Sequence, residues 1–361
     1  EFSKKEKYKI NIISFEKKND LNSRRIKLLE KKFKLLKINW FKLPFYNNIF
    51  LRLLIFFYAE VLIFFIILWK HINIIHVWSY IPMMLVIFPN FFLRKKVVFD
   101  IRGFWFDEKK DFKQINLISY KILKKVEKTL FDSADRIITL SKKSIKIIQK
   151  NFNIKKKNIY FVTTFANKKN FKVIKPINKK NFNFLYLGSA TNSYDFNKII
   201  KFLELFNKFD SDWKLTAYSK DIKHINKKVS ESILDKKKFK VSMMPVDKIK
   251  KILHKFNFAV YFIKPTFAKK ASCPTKLAEF MFSGLPIITN KGVGDIEYFK
   301  KESNIILFNF NEINEKNIKK NYKNVLRFKK NPQVLKQRKF AEKIFDEQIF
   351  FKKILSIYQN I

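Results

Sequence analysis

The segment from Lys264 to Glu279 concentrates groups suited to holding an anion. An apolar run ends at Lys264-Pro265, and Thr266 to Cys273 leads into a helix predicted to open at Pro274-Thr275-Lys276. Proline is favoured at a helix start because its missing N–H has no partner there anyway. The free N–H groups of Thr275 and Lys276, together with the helix dipole, make an anion site. Lys264, Lys269, Lys270 and Lys276 add full charges, and the Ser272 and Thr275 hydroxyls add donors. A diphosphate suits this set. Glu279 falls on the same helix face as Thr275 and Lys276. A carboxylate beside a phosphate site needs a different partner, and a ribose diol supplies two O–H donors. On the residues alone, a plain helix with a surface Lys276–Glu279 pair stays open as the alternative.

These residues need a sheet edge to position them. Short apolar runs alternate with longer helical patterns along the whole chain. In the first half, strands are expected at Tyr8–Phe15, Ile38–Leu43, Ile72–Val77, Lys96–Asp100, Arg136–Leu140 and Ile159–Thr163. Helices are expected at Asn22–Leu35, Asn48–Lys70, Ile81–Phe92, Gln114–Phe131 and Lys142–Gln149. The polar stretch 167–180 reads as a linker. Strands then resume at Phe184–Gly188, Lys214–Ala217, Phe239–Met243, Phe258–Ile263, Pro286–Asn290 and Asn304–Phe308. Helices resume at Phe196–Lys208, Asp247–Lys255, Pro274–Ser283 and Asn314–Phe328, with one long terminal helix near Val334–Tyr358. Such alternation predicts α/β architecture with parallel sheets. In such sheets ligands bind beyond the carboxyl ends of the strands, where Lys264–Lys276 falls.

Composition removes several function classes. Of 361 residues, five are Gly and one is Cys, so a disulfide framework and a Cys-rich zinc module are excluded. No P-loop pattern occurs, and the one G-x-G, Gly292 to Gly294, has Glu297 where a dinucleotide fingerprint needs its third Gly. The net charge of +47 suits phosphate-bearing partners. Lys far outnumbers Arg and rises together with Asn, Ile and Phe, a joint bias that points to base composition rather than to a nucleic-acid partner. Leu53–Trp69 is nearly continuous apolar sequence, broken by Tyr58 and Glu60. Three readings stay open for it: a buried or half-buried domain helix, a helix lying on a membrane surface, and a span. A mid-span Glu60 would cost roughly 2.5–3.5 kcal/mol in lipid.

The segment Ala271-Ser-Cys-Pro-Thr-Lys-Leu-Ala-Glu279-Phe-Met-Phe-Ser-Gly284-Leu-Pro-Ile-Ile-Thr-Asn290, followed by Gly292-Val-Gly-Asp295, resembles the donor-binding segment of glycosyltransferase family 4. His76 to Pro82, Phe99 to Glu108 and Ser133 to Ser141 are similar to acceptor-domain segments of that group, and Phe340 to Asp346 to its returning C-terminal helix. The resemblance implies the GT-B fold: two Rossmann-like doubly wound domains facing across a cleft. It places an acceptor domain at 1–166, a linker at 167–180, a nucleotide-sugar domain at 181–335 and a C-terminal helix at 336–361 that crosses back to the first domain.

By position, Glu279 matches the second Glu of the family's Glu-x7-Glu motif, which holds the donor ribose; the first Glu is replaced by Ala271. Ser272, Pro274, Thr275 and Lys276 match the loop that holds the diphosphate. Gly188-Ser189 matches the close-approach turn after the first strand of the donor domain, with Lys201 as a weak substitute for the family's basic residues there. Lys264 adds charge on the donor side. Arg102, after Asp100, takes the polar role near the sugar, and Arg102 and Lys276 are the candidate catalytic groups. His76, Asp100, Asp107, Gly292 and Gly294 are expected on the acceptor side or in the cleft. Structural alternatives accompany these: an Arg102–Asp107 salt bridge around Gly103, a backbone-satisfied His76, local caps at Ser133 and Asp135, and a left-handed helix cap at Gly284.

The implied activity is retaining transfer of a hexosyl-type sugar from a nucleotide-diphosphate sugar to a hydroxyl acceptor. The acceptor class would be a lipid-linked or surface-polysaccharide glycan, as in lipopolysaccharide biosynthesis. No cofactor and no metal are implied, and no nucleic-acid partner. The expected location is cytoplasmic, peripheral to an anionic membrane face. A GT-B-fold nucleotide-sugar 2-epimerase, an inactive nucleotide-sugar binder and a basic nucleic-acid or lipid-surface binder without chemistry are the competing readings.

Overall fold

The computed structural model describes residues 8–155, 158–173 and 181–361. It divides into two compact units. One comprises residues 1–99, 132–135 and 361; the other comprises 100–131 and 136–360.

The first unit carries β1 (Asn11–Lys17), α1 (Arg24–Leu35), β2 (Asn39–Phe45), α2 (Ile49–Trp69), β3 (Ile74–Trp78), α3 (Tyr80–Leu93) and β4 (Lys96–Asp100), whose last residue belongs to the second unit. β1 and β2 pair in parallel, which requires a crossover, and α1 supplies it. Asn48 starts α2 by accepting from the N–H groups of Phe50 (2.9 Å) and Leu51 (3.2 Å). Only part of α2 is buried, at Ala59, Ile63, Ile66 and Ile67. Asp135 accepts from Val97 N (2.9 Å) and Lys96 Nζ (3.0 Å), a local connecting role.

The second unit begins with α4 (Trp105–Asp111), α5 (Leu117–Asp132), β5 (Arg136–Thr139), α6 (Lys142–Phe152) and β6 (Ile159–Phe161). It continues with β7 (Phe182–Leu187), α7 (Phe196–Phe206), β8 (Trp213–Tyr218), α8 (Ile222–Ser230), β9 (Phe239–Ser242), α9 (Val246–Ile252), β10 (Phe258–Val260) and α10 (Thr275–Ser283). β11 (Ile287–Asn290), α11 (Ile296–Phe299), β12 (Ile305–Phe308), α12 (Glu315–Lys330), α13 (Val334–Phe345) and α14 (Glu347–Gln359) complete it.

β7 to β12 form one parallel sheet in the order β9-β8-β7-β10-β11-β12. That is the doubly wound order, with its reversal between β7 and β10. The sheet is buried on both faces at β10 to β12, as a parallel sheet is when helices cover it, and opens to solvent at Lys214 of β8 and Lys240 of β9. β11 and β12 are buried at every position. α7 presents Phe196, Ile199, Ile200, Phe202, Leu203 and Phe206 to it at helical spacing. Phe182, Phe184, Phe202, Phe206 and Phe258 make a contiguous aromatic core of edge-to-face, stacked and tilted pairs.

The terminal helix expected as one piece is two. Asp346 is extended (φ −65°, ψ 134°) and caps α14 by accepting from Gln348 N at 2.8 Å. At the same break Ala166 N donates to Phe345 O at 3.0 Å, and Phe350 packs on Phe165 with centroids 4.2 Å apart. Within the segment read as a linker, Phe171 is buried and its carbonyl accepts from Arg338 Nη1 at 2.9 Å. Residues 174–180 of that expectation lie outside the described residues.

Gly284 ends α10 in the left-handed region (φ +76°), and Leu285 N reaches back to Phe280 O at 3.0 Å. The Val334 side chain occupies the space a Cβ would need. Gly284→Ala is therefore expected to lower stability by about 1–3 kcal/mol. Chemical denaturation checks this, and an unchanged midpoint would contradict it.

Candidate functional site

The strand order reverses between β7 and β10, so the segments leaving these two strands diverge around a crevice. β7 ends at Leu187 and turns at Gly188-Ser189. β10 ends at Val260, and the chain then runs through 261–274 to α10. Lys264 N donates to Ser193 O (2.9 Å) and Asp195 N to Phe262 O (3.0 Å), which stitches the two segments together. The Asn290 side chain fixes the exit of β10, accepting from Ile263 N (2.8 Å) and donating to Ile263 O (2.9 Å).

Lys276 sits where the two segments meet. Its ammonium donates to Leu187 O and lies 3.9 Å from the centre of the Tyr194 ring. The Tyr186 and Tyr261 rings stand at 5.7 and 5.8 Å. At Gly188 (φ +116°) a side chain would be strained by the backbone, and its Cβ would displace the Lys276 ammonium. The aromatic faces favour the cation. Burial works against it more strongly and brings the Lys276 pKa down to about 7, with Glu279 pulling the other way. Glu279 is itself held above the usual carboxylate range by burial, opposed by Lys250 and Lys276. The pair is thus half-buried around an engulfed ammonium rather than a solvated surface pair. Thr275 is exposed at the start of α10, and Pro274 stands one position before it with extended backbone (φ −63°, ψ 127°).

The turn after β7 has a second anchor that the sequence reading missed. Asp221 Oδ2 accepts from Ser189 Oγ and from Ala190 N, both at 2.8 Å. The Ser189 hydroxyl bond, first among the causes, holds the Asp221 carboxyl below its ordinary range. Ser189 therefore shapes the turn through Asp221.

The loop 261–274 is braced from its other side. Gly292 (φ +90°) lies over Pro265, whose Cβ would be 2.7 Å from an added methyl, and Gly294 (φ +47°) lies on Ser272 O. Gly294 N donates to Lys269 O at 2.9 Å. The close approach these glycines permit is thus to the loop 265–272. Asp295 accepts from Lys142 N (2.6 Å) at the start of α6, and Ser141 Oγ donates to Lys270 O (2.6 Å). Lys269 is nearly buried and paired with Glu108 at 2.7 Å, so its charge is spent within the protein. Lys264 lies over the Phe112 ring at 5.9 Å and Lys270 over Phe267 at 5.0 Å. Ala271, at the position of the first motif Glu, is fully buried.

Arg102 and Asp100 come to the same loop. Phe104 stacks on Phe267 with centroids 5.6 Å apart, and Gly103 passes beside the Ser272 hydroxyl. Arg102 is left-handed (φ +54°), and its Nη1 is 3.4 Å from Asp100 Oδ2. Asp100 is buried, its Oδ1 has no hydrogen-bond partner, and burial lifts its pKa to about 6 against the pull of Arg102.

Asp107 and Lys201, also expected at the site, have other surroundings within the second unit. Asp107 is buried between α4 and α5, accepting from Tyr120 Oη (2.7 Å) and Lys124 Nζ (3.0 Å). The carboxylate beside Arg102 is Asp100, not Asp107. Lys201 is exposed on α7, in an open groove with Glu204, Lys228 and Glu231. His76 is exposed on β3 in the first unit.

Residues 6–167 match the family model for Glycosyltransferase Family 4. No curated protein matches the chain by sequence. Among solved structures, HepE of Anabaena in complex with UDP and glucose superposes with a TM-score of 0.69 at 10% identity, over 98% of this chain and all of that one. Sucrose-phosphate synthase of Thermosynechococcus elongatus gives 0.70 at 12% identity, over 98% and 99%. The lipopolysaccharide outer core galactosyltransferase WaaB gives 0.67 at 15% identity, over 98% and 99%. The resemblance to glycosyltransferase family 4 and the GT-B fold with its two Rossmann-like domains are thereby borne out.

If the crevice at Gly188 takes a diphosphate, Gly188→Ala and Lys276→Met should each weaken binding of inorganic pyrophosphate by about 10²-fold or more. Titration calorimetry checks this, and wild-type affinity in both variants would contradict it.

Proposed function

We propose that this protein transfers a sugar from a nucleotide-diphosphate sugar to a hydroxyl acceptor. The observation that carries the reading is the Lys276 ammonium, held at the β7–β10 reversal beneath a glycine that leaves it room. A buried lysine with one carbonyl partner gains most from an incoming anion. The diphosphate would lie against Gly188 and the start of α10, with Thr275 and Ser272 as further donors. Glu279 would hold the ribose diol. The binding of UDP by HepE makes a uridine nucleotide the first donor to try.

Bond cleavage passes through an oxocarbenium-like state, and charge builds up on the departing diphosphate. Catalysis in such a site is positioning together with stabilisation of that charge. Lys276 and the α10 dipole supply the stabilisation in this proposal, without a cofactor or metal. Arg102, left-handed in backbone and beside the loop that carries Ser272, is proposed to meet the sugar. The acceptor hydroxyl is proposed to belong to a lipid-linked or surface glycan, transferred to with retention of configuration on the cytoplasmic side.

The replacement of the first motif Glu by the buried Ala271 favours a second reading, a nucleotide-sugar binder or 2-epimerase of the same fold. Incubation with nucleotide sugars and candidate acceptors separates the two. Transfer releases free nucleoside diphosphate together with a heavier acceptor. An epimerised donor, or binding without turnover, would overturn the transferase reading. Given transfer, Lys276→Met and Glu279→Gln should lower kcat/KM by about 10²–10³-fold. Wild-type rates in both would remove this site from the mechanism.

A further inference from the structure

Between Arg52 and Arg94 the chain carries only two charged side chains among Asp, Glu, Lys and Arg: Glu60 and Lys70. α2 and α3 occupy most of that stretch, and their outward faces remain apolar. On α2, Phe50, Phe57, Phe65 and Trp69 are 60–69% exposed and follow helical spacing along one side. On α3, Phe88 and Phe91 are 61% and 75% exposed. Isolated exposed apolar residues need no explanation, but a row of large ones on two packed helices marks an interaction surface.

Length and composition alone would let α2 cross a bilayer, and among the described residues it is the one helix of that kind. Its opposite side, however, is committed to the protein through Ala59, Ile63, Ile66 and Ile67. A helix buried on one side and apolar on the other fits an interface rather than a span. Charge then selects the occupant. Residues 1–99 hold nineteen Lys and Arg against six Asp and Glu, within a chain of net charge +47. Two copies so charged repel at close range, whereas an anionic lipid surface attracts. Cations stand at the ends of the apolar row. Arg52 donates to Tyr46 O and Asn47 O at the start of α2, Lys70 lies 3.7 Å over the Trp69 ring at its end, and Arg94 is exposed where α3 stops.

We propose that the outward face of α2 and α3 lies in the headgroup–acyl boundary of an anionic bilayer, Phe57, Phe65 and Phe91 entering the acyl region and the basic ends meeting lipid phosphates. This goes beyond sugar transfer and does not depend on it.

Co-sedimentation of the full chain with vesicles of phosphatidylcholine, with and without phosphatidylglycerol, tests the proposal. The wild type should pellet with the anionic vesicles and keep a bound fraction in high salt, because apolar insertion is not screened. Replacing Phe57, Phe65 and Phe91 together with Ser should cut the bound fraction by at least about tenfold. Thermal melting and UDP binding should stay as in the wild type. As a second reading free of folding effects, bromine-labelled acyl chains should quench wild-type fluorescence, and Trp69→Phe should remove much of that quenching. Equal pelleting of wild type and triple variant, or binding that salt abolishes and the serines leave untouched, would overturn the proposal. So would a wild-type dimer that the serines dissociate while neither form pellets.

Discussion

A lysine ammonium kept out of water is the constraint around which the crevice between β7 and β10 is arranged. Lys276 reaches from the first turn of α10 to the end of β7, and three tyrosine rings and one carbonyl receive it. Burying such a charge is costly unless a partner compensates, and depression of its pKa to about 7 records that cost. The surroundings follow from it. A side chain at Gly188 would displace the ammonium, and Asp221 ties the turn behind it. Glu279 stands one turn along the same helix.

The doubly wound sheet explains why these groups meet. Residues 188 and 276 are far apart in sequence, yet the exits of the first and fourth strands of this topology are neighbours. The fold then spends several charges on rigidity. Glu108 takes Lys269, Asp295 caps α6, and Glu297 accepts from Gly292 N (2.8 Å) and Lys143 Nζ (2.6 Å). A lysine-rich loop thereby becomes a braced one, with Lys276 as the cation set deepest between the two segments. Preorganisation of this kind lets a site stabilise developing charge without rearranging.

Much of this was legible in the sequence. Strands buried on both faces read as short runs led by Ile, Ile-Ile-Thr-Asn at Ile287–Asn290 and Ile-Ile-Leu-Phe at Ile305–Phe308, and Lys96–Asp100 was bounded to the residue. The helix start at Pro274-Thr275-Lys276 was legible because Pro, Thr and Lys have local meanings there. α4 and α8 were missed as well, and α8 had a signal in Ile222, Ile225 and Val229 at helical spacing; the other missed features lack a local signal. α11 is four residues long, shorter than any helical period can show. The apolar pattern runs on through Ile344-Phe345-Asp346-Glu347-Gln348-Ile349, so the break at Asp346 was invisible. Lysine reads as surface, and nothing near Lys276 announces that it folds under a strand end. The Lys269–Glu108 and Ser189–Asp221 contacts join distant residues, and the role of Gly292 and Gly294 depended on what lies above them.

The proton balance of nucleotide binding tests the central claim most directly. Free Lys276 is largely neutral at about pH 8, above its depressed pKa, and an adjacent diphosphate would draw that pKa up, so binding should take up a proton. Titrating UDP into the full chain at about pH 8, in buffers of different ionisation enthalpy, reads this number. The account predicts uptake of most of one proton in the wild type and none in Lys276→Arg, whose guanidinium stays charged. UDP binding without proton uptake, or the same uptake in the arginine variant, would contradict it.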